Sequence, residues 1–195
     1  MLNVFQRTDA GNMIESKIRS LRNECPKKIF DKGRPAEVEV NKFFFNGEIV
    51  DRIMIVLRSN GCEHYKKTGG CAMCSHSNGA VFYEMVAEED YKKQWNSILD
   101  TSCLEKPIEN FSLDNFSIVC VYNLGSFLNE NEISLNAIQY IFASLNKFRN
   151  VKKVIIESRP EYITRKSLNI IKNTFDGLLE VGIGVESTNR VVREL

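Results

Sequence analysis

Cys62, Cys71 and Cys74 stand together in the run GCEHYKKTGGCAMC, directly after the apolar segment IMIVLRSN. Three of the chain's six cysteines thus crowd into one short stretch, beside Gly61, Gly69 and Gly70, with no fourth cysteine close behind. A structural zinc ion takes four protein ligands, so a trio leaves one position unfilled. An iron of a 4Fe–4S cluster left open in that way holds a substrate or cofactor in place of a side chain. Thiolates suit such a cluster because they are soft, electron-rich ligands for low-potential iron. A second reading of the same residues is a structural zinc site completed by His64 or His76, which makes the chain a zinc-stabilised binding module. The glycines let such a loop fold tightly around whatever it holds, because glycine reaches backbone conformations closed to other residues.

A chain of 195 residues has room for one domain with a sizeable core, or for part of a larger one. Its 43% hydrophobic and 26% charged residues are ordinary for a globular protein. The net charge of +1 points neither toward nor away from nucleic acid. The pairs Lys66-Lys67, Lys92-Lys93 and Lys152-Lys153 read as solvated surface. The N-terminus, MLNVFQRTDAGNMIESK, lacks both a continuous apolar stretch and a small-residue cleavage site, and no uncharged apolar run approaches membrane-spanning length. A cytoplasmic protein that touches no membrane is the expectation, and in a reducing compartment clustered cysteines bind metal rather than pair. Cys25, Cys103 and Cys120 are not expected to be ligands. Cys120 alternates with Val119 and Val121 in an apolar strand, where cysteine acts as a small hydrophobe.

The elements that must position the cysteines follow from periodicity. Met13, Ile14, Ile18 and Leu21 have helical spacing, which predicts an N-terminal helix over Gly11 to Cys25. Two β-rich runs, Val38 to Phe45 and Ile49 to Arg58, flank Asn46-Gly47, the pair that a type I′ hairpin turn prefers. The second arm runs straight into the cysteine loop. Helices are predicted over Ala87 to Leu99, with Trp95 and Ile98 on one face, and over Glu132 to Phe148. A third runs from Thr164, as its cap, through Phe175, and a last one, VVREL, is capped by Ser187 or Thr188. Strands are predicted at Ser117 to Tyr122, Val151 to Glu157 and Leu179 to Val185.

Apolar strands alternating with helices indicate parallel βα units. The polar residues fall just past the strand ends: the cysteines, then Asn123 to Ser126, then Glu157 to Arg159, then Glu186. Sites of βα barrels sit on that C-terminal rim, so these segments are expected to converge.

With these segments in view, the chain resembles the radical S-adenosylmethionine (SAM) superfamily. The superfamily's signature CxxxCxxC lies on the loop after the first barrel strand. The gap here between Cys62 and Cys71 is longer, as in the elongator-type tRNA-modifying catalytic subunits. GCEHYKKTGGCAMCSHSN, YNLGSFLNENEI, VIIESRPEYIT and VGIGVESTN resemble, in order, four motifs of the archaeosine synthase type of radical SAM protein and its bacterial relatives. The resemblance runs from about Ile53 to Leu195. It implies an α/β fold, a partial (βα) barrel of the radical SAM type with about four βα units, preceded by an N-terminal helix and a β-hairpin. Residues 1–48 would form the helix and first hairpin arm, and 49–195 the N-terminal part of the core, without its last strands.

The resemblance also implies roles. Cys62, Cys71 and Cys74 would ligate three irons of a 4Fe–4S cluster, whose fourth iron chelates the amino and carboxylate groups of SAM. Met73 holds the place beside the adenine. Gly125 and Ser126 replace a Gly-Gly-Glu segment that receives the methionine amino group, with Asn123 assisting. Glu157 and Arg159 lie where polar groups meet the cofactor's carboxylate or ribose, and the planar fork of arginine suits a carboxylate. Glu186 is placed for the ribose hydroxyls or amino group. The implied reaction is reductive cleavage of SAM to methionine and a 5′-deoxyadenosyl radical that takes a hydrogen atom from a substrate. A modified tRNA nucleoside is the substrate class, and a flavodoxin- or ferredoxin-type protein the electron donor. A core with only four units implies an open sheet edge, and hence a partner chain that covers it or a fragment that keeps the fold without full catalysis. Low stability is expected if that edge is left bare.

Overall fold

The computed structural model describes residues 9–71, 74–81, 84–104 and 110–189. The predicted last helix and Met73 lie outside the described residues. One five-stranded sheet organises the chain, in the order β1 (Glu37–Phe45), β2 (Glu48–Val56), β3 (Ile118–Tyr122), β4 (Lys153–Glu157) and β5 (Leu178–Gly182). β1 and β2 form the antiparallel hairpin expected at Asn46-Gly47. Both turn residues have positive φ, 51° and 88°, the geometry a type I′ turn requires. From β2 onward every pairing is parallel, with Ile53 opposite Val119, Cys120 opposite Ile155 and Val154 opposite Leu179. The fold is therefore an α/β partial barrel with a four-strand parallel portion, preceded by a helix and a hairpin.

Five α-helices accompany the sheet among the described residues: α1 (Asp9–Glu24), α2 (Glu63–Thr68), α3 (Glu88–Leu99), α4 (Leu135–Leu145) and α5 (Arg165–Lys172). The helix-facing side of the sheet carries Ile53, Ile55, Val119, Val121, Val154 and Ile156, all buried. They pack on Trp95 and Ile98 of α3, Ile138 and Ile141 of α4 and Ile171 of α5 in one core. Each such side chain contributes roughly 1.5–3 kcal/mol when fully buried. Trp95 is fully buried, and its indole N–H donates to Ser144 Oγ of α4 at 2.5 Å. The alternate residues Ile118, Cys120 and Ile155 point to the other face, against Phe43, Phe45, Met54 and Tyr122. Period-two alternation thus sorts the strand residues onto two apolar faces.

Most elements differ from the sequence reading by one to three residues at an end, such as β5, which stops at Gly182 and not Val185, and two differences bear on the site. α4 begins at Leu135, not Glu132, because Ser134 is its N-cap and accepts from Ala137 N at 3.2 Å. Glu132 instead lies in the preceding turn and sends its carboxylate elsewhere. The cysteine run, read as loop, contains the short helix α2, closed by Gly69 in the left-handed region at φ 85°. Glu63 and Lys67 pair along it at 2.5 Å. No described helix is long and apolar enough to cross a membrane.

Candidate functional site

A cleft of about 600 Å³ opens at the C-terminal ends of the parallel strands, within the size range of ligand sites. Cys62, Cys71 and Cys74 line it from the loop after β2, and Gly125 and Ser126 from the loop after β3. Glu157, Ser158 and Arg159 enter after β4, and Gly182, Gly184 and Glu186 after β5. Segments nearly 125 residues apart in the chain are therefore brought to one place, with His64, Ser75, Pro160 and Glu161 completing the wall. Parallel βα topology produces this gathering, because every strand delivers its C-terminal end to the same rim.

The three thiols are free. Cys71 is exposed, while Cys62 and Cys74 are half-buried. Burial pushes the Cys62 thiol up, opposed by the backbone N–H groups of Tyr65 and His64. Among the described residues no three His, Cys, Asp or Glu side chains are grouped so as to hold a metal ion. His64 lines the cleft, its Nε2 3.3 Å from Thr68 Oγ1, and burial followed by the Arg159 charge pulls its pKa down.

Of the other expected contact residues, Ser126 is 1% exposed, and its Oγ accepts from Arg159 N at 3.4 Å. The Arg159 guanidinium pairs with Glu161 at 2.8 Å. Glu157 carries an exposed side chain, and its backbone carbonyl accepts from Phe127 N at 2.9 Å. Glu186 is exposed and held at φ 62°, an uncommon conformation for a non-glycine residue. Among the described residues expected at the site, Asn123 does not line the cleft. It is 1% exposed behind the rim, where its carbonyl accepts from Ser59 Oγ and its side-chain Oδ1 has no hydrogen-bond partner among the described residues. Asn123 therefore belongs to the rim's support rather than to its lining.

Two residues that the sequence reading did not single out for the site organise this rim. Glu132 is 4% exposed, and its carboxylate accepts from Ser126 N at 2.6 Å, Glu63 N at 2.8 Å and Asn129 Nδ2 at 3.0 Å. It thereby ties the residue after Cys62 to the loop after β3. Burial raises its pKa, and the donors of Glu63, Ser126 and Asn129 oppose that rise. Glu63, beside it, accepts from Lys67, Asn129, Tyr162 and Asn131, in that order of effect, which brings its carboxyl down to about 2. Gly125 lies so close to these groups that a Cβ there would be 2.0 Å from Glu132 Oε2 and 3.2 Å from Cys62 Cα. The second residue is Arg22 of α1, whose guanidinium reaches the backbone carbonyls of the cysteine loop.

No family model matches the chain. An uncharacterized protein of Methanocaldococcus jannaschii is 36% identical over 170 residues, covering 86% of this chain and 44% of the relative. The archaeosine synthase subunit beta of Methanosarcina acetivorans is 27% identical over 184 residues, covering 90% of this chain and 48% of its own. That of Thermococcus kodakarensis is 26% identical over 145 residues, covering 73% and 42%. The chain thus spans about half the length of the curated relatives it matches. Among solved structures, queuine lyase from Clostridium spiroforme, bound to SAM and queuine, superposes with a TM-score of 0.53 at 18% identity, over 80% of this chain and 56% of the lyase. A shared sequence with the archaeosine synthase beta subunits, and a shared fold with a SAM-bound lyase, relate this chain to the radical SAM superfamily.

Proposed function

We propose that the chain binds a 4Fe–4S cluster through Cys62, Cys71 and Cys74 and SAM in the cleft beside them, and that it serves hydrogen abstraction from a modified tRNA nucleoside. The observation that carries this reading is the shared cleft, in which three free thiols face the loops after β3, β4 and β5. In kind and number the donor set suits the group, since three thiols are the ligands of a cluster with one open iron, and the thiols, which are not grouped as a metal site, would draw together on binding it. When bound, a reduced cluster supplies one electron that splits the SAM sulfonium into methionine and a 5′-deoxyadenosyl radical. The protein's share is binding, orientation and the exclusion of water.

Arg159 would meet the SAM carboxylate with its fork once it exchanges Glu161 for the ligand. The exposed carboxylates of Glu157 and Glu186 are acceptors suited to ribose hydroxyls or the amino group. Ser126 and Gly125 form the wall between cluster loop and cofactor, and Asn123 supports them from behind. Met73 would sit beside the adenine. The names of the relatives, archaeosine synthase, and of the structural neighbour, which holds queuine, support a modified tRNA nucleoside as the substrate class. The same names, subunit beta, support a partner chain. A flavodoxin- or ferredoxin-type electron donor and a cytoplasmic setting complete the proposal.

Anaerobic reconstitution with iron and sulfide tests it. About four irons per chain, with 5′-deoxyadenosine formed from SAM and dithionite, is the expected result. Zinc bound with no iron uptake would establish the binding-module reading instead.

A further inference from the structure

The proposed ligands Cys71 and Cys74 both lie outside the strands and helices. Around them the described hydrogen bonds include two local ones, Gly69 N to Tyr65 O at 2.8 Å and Cys74 N to Cys71 O at 3.2 Å. Arg22 reaches across from α1 to the same residues. Its Nη2 donates to Cys71 O and to Cys74 O, each at 2.7 Å, and its Nη1 donates to Gly69 O at 3.3 Å. One guanidinium thereby contacts the carbonyls of two proposed ligands and of the glycine that closes α2.

Other contacts hold α1 in that position. A Cβ on Gly69 would lie 3.2 Å from the Arg19 guanidinium, so helix and loop are in close contact there. Just beyond α1, Lys27 Nζ lies 5.7 Å from the Tyr65 ring centroid and donates to Tyr65 Oη at 3.4 Å. Arg19 is itself steadied by Glu15 one turn earlier, at 2.5 Å.

We infer that Arg22 is a positioning residue for the cluster, fixing the backbone at Cys71 and at Cys74 from α1 and placing a permanent positive charge behind two of the three thiolates. The inference rests on the reading of these cysteines as cluster ligands. The helix before the sheet is then a working part of the site. Two physical effects follow. The fork pre-sets three carbonyls at once, which a point-charge ammonium does not do. Its charge lies on the ligand side of the cluster, where outer charges and hydrogen bonds set reduction potential.

Two substitutions in the full chain separate these effects from simple loss of fold. In the cluster-free protein, R22M is expected to speed amide hydrogen exchange across Gly69 to Ser75 by about tenfold or more, leaving β2, β3 and α4 unchanged, with R22K in between. In reconstituted protein, the cluster of R22M is expected to have a lower reduction potential than that of R22K, because only the lysine keeps the charge. Unchanged loop exchange in R22M would overturn the inference, and so would faster exchange spread evenly over the whole chain. Equal potentials in R22M and R22K would overturn the electrostatic part. Wild-type protein that takes up no iron would overturn the cluster role together with the proposed function. Local loop exchange in R22M would then still establish the contact itself.

Discussion

Alanine at Gly125 is expected to disable the cleft and destabilise the protein by about 3–5 kcal/mol, a large share of a typical domain's stability. The added methyl would sit 2.0 Å from Glu132 Oε2 and 3.2 Å from Cys62 Cα, so one of them must move. Neither moves cheaply. The carboxylate is pinned in a buried site by Ser126 N, Glu63 N and Asn129 Nδ2, and displacing it leaves buried donors unpaired at about 1–3 kcal/mol each. Moving Cys62 instead shifts the first proposed ligand away from its partners. Chemical denaturation checks the stability effect, and iron uptake after reconstitution checks the effect on the site. Wild-type values for both would show that the contact between Gly125 and Glu132 has no part in holding the rim.

The second large effect is expected from the thiols themselves. Serine at Cys62, Cys71 or Cys74 is expected to reduce SAM cleavage to background, because an alkoxide is a hard and poorly available ligand for iron where a thiolate is soft. Serine at the exposed Cys25 is expected to leave iron content and cleavage as in the wild type. The contrast matters more than either result alone, since Cys71 and Cys25 are both exposed free cysteines and Cys71, unlike Cys25, lines the cleft. Iron per chain and 5′-deoxyadenosine yield measure it.

These predictions draw unequally on sequence and structure. The strands were legible because their burial is written as apolar runs, such as SIVCVY and VKKVIIE, bounded by turn residues. Asn46-Gly47 and Thr164 announced a turn and a cap through chemistry local to each. Convergence of the rim segments was legible too, since parallel βα order alone places strand ends together. What escaped was tertiary. Glu132 reads as a good helix residue, yet its carboxylate bonds Glu63, 69 residues away, and the helix starts three residues later. Arg22 reads as the polar face of an amphipathic helix, and nothing within its own turn signals partners 49 and 52 residues on. Asn123 shares the strand-end position with Gly125 and Ser126, but its burial behind the rim depends on how that loop turns, with Leu124 at φ 61°. Helix α2 was hidden by its six-residue length, although Gly69 marked where it stops.

The central claim is that three thiols hold a cluster whose open iron faces the cleft where SAM binds. Electron paramagnetic resonance of the reduced, reconstituted protein with and without SAM tests that most directly. The account predicts a 4Fe–4S signal whose g-values change when SAM is added, as the open iron takes the ligand. It predicts further that R159M, without the guanidinium at the cleft wall, needs more SAM for the same change. A cluster signal indifferent to SAM at saturating concentration would contradict the account, because the iron would then not face the cleft.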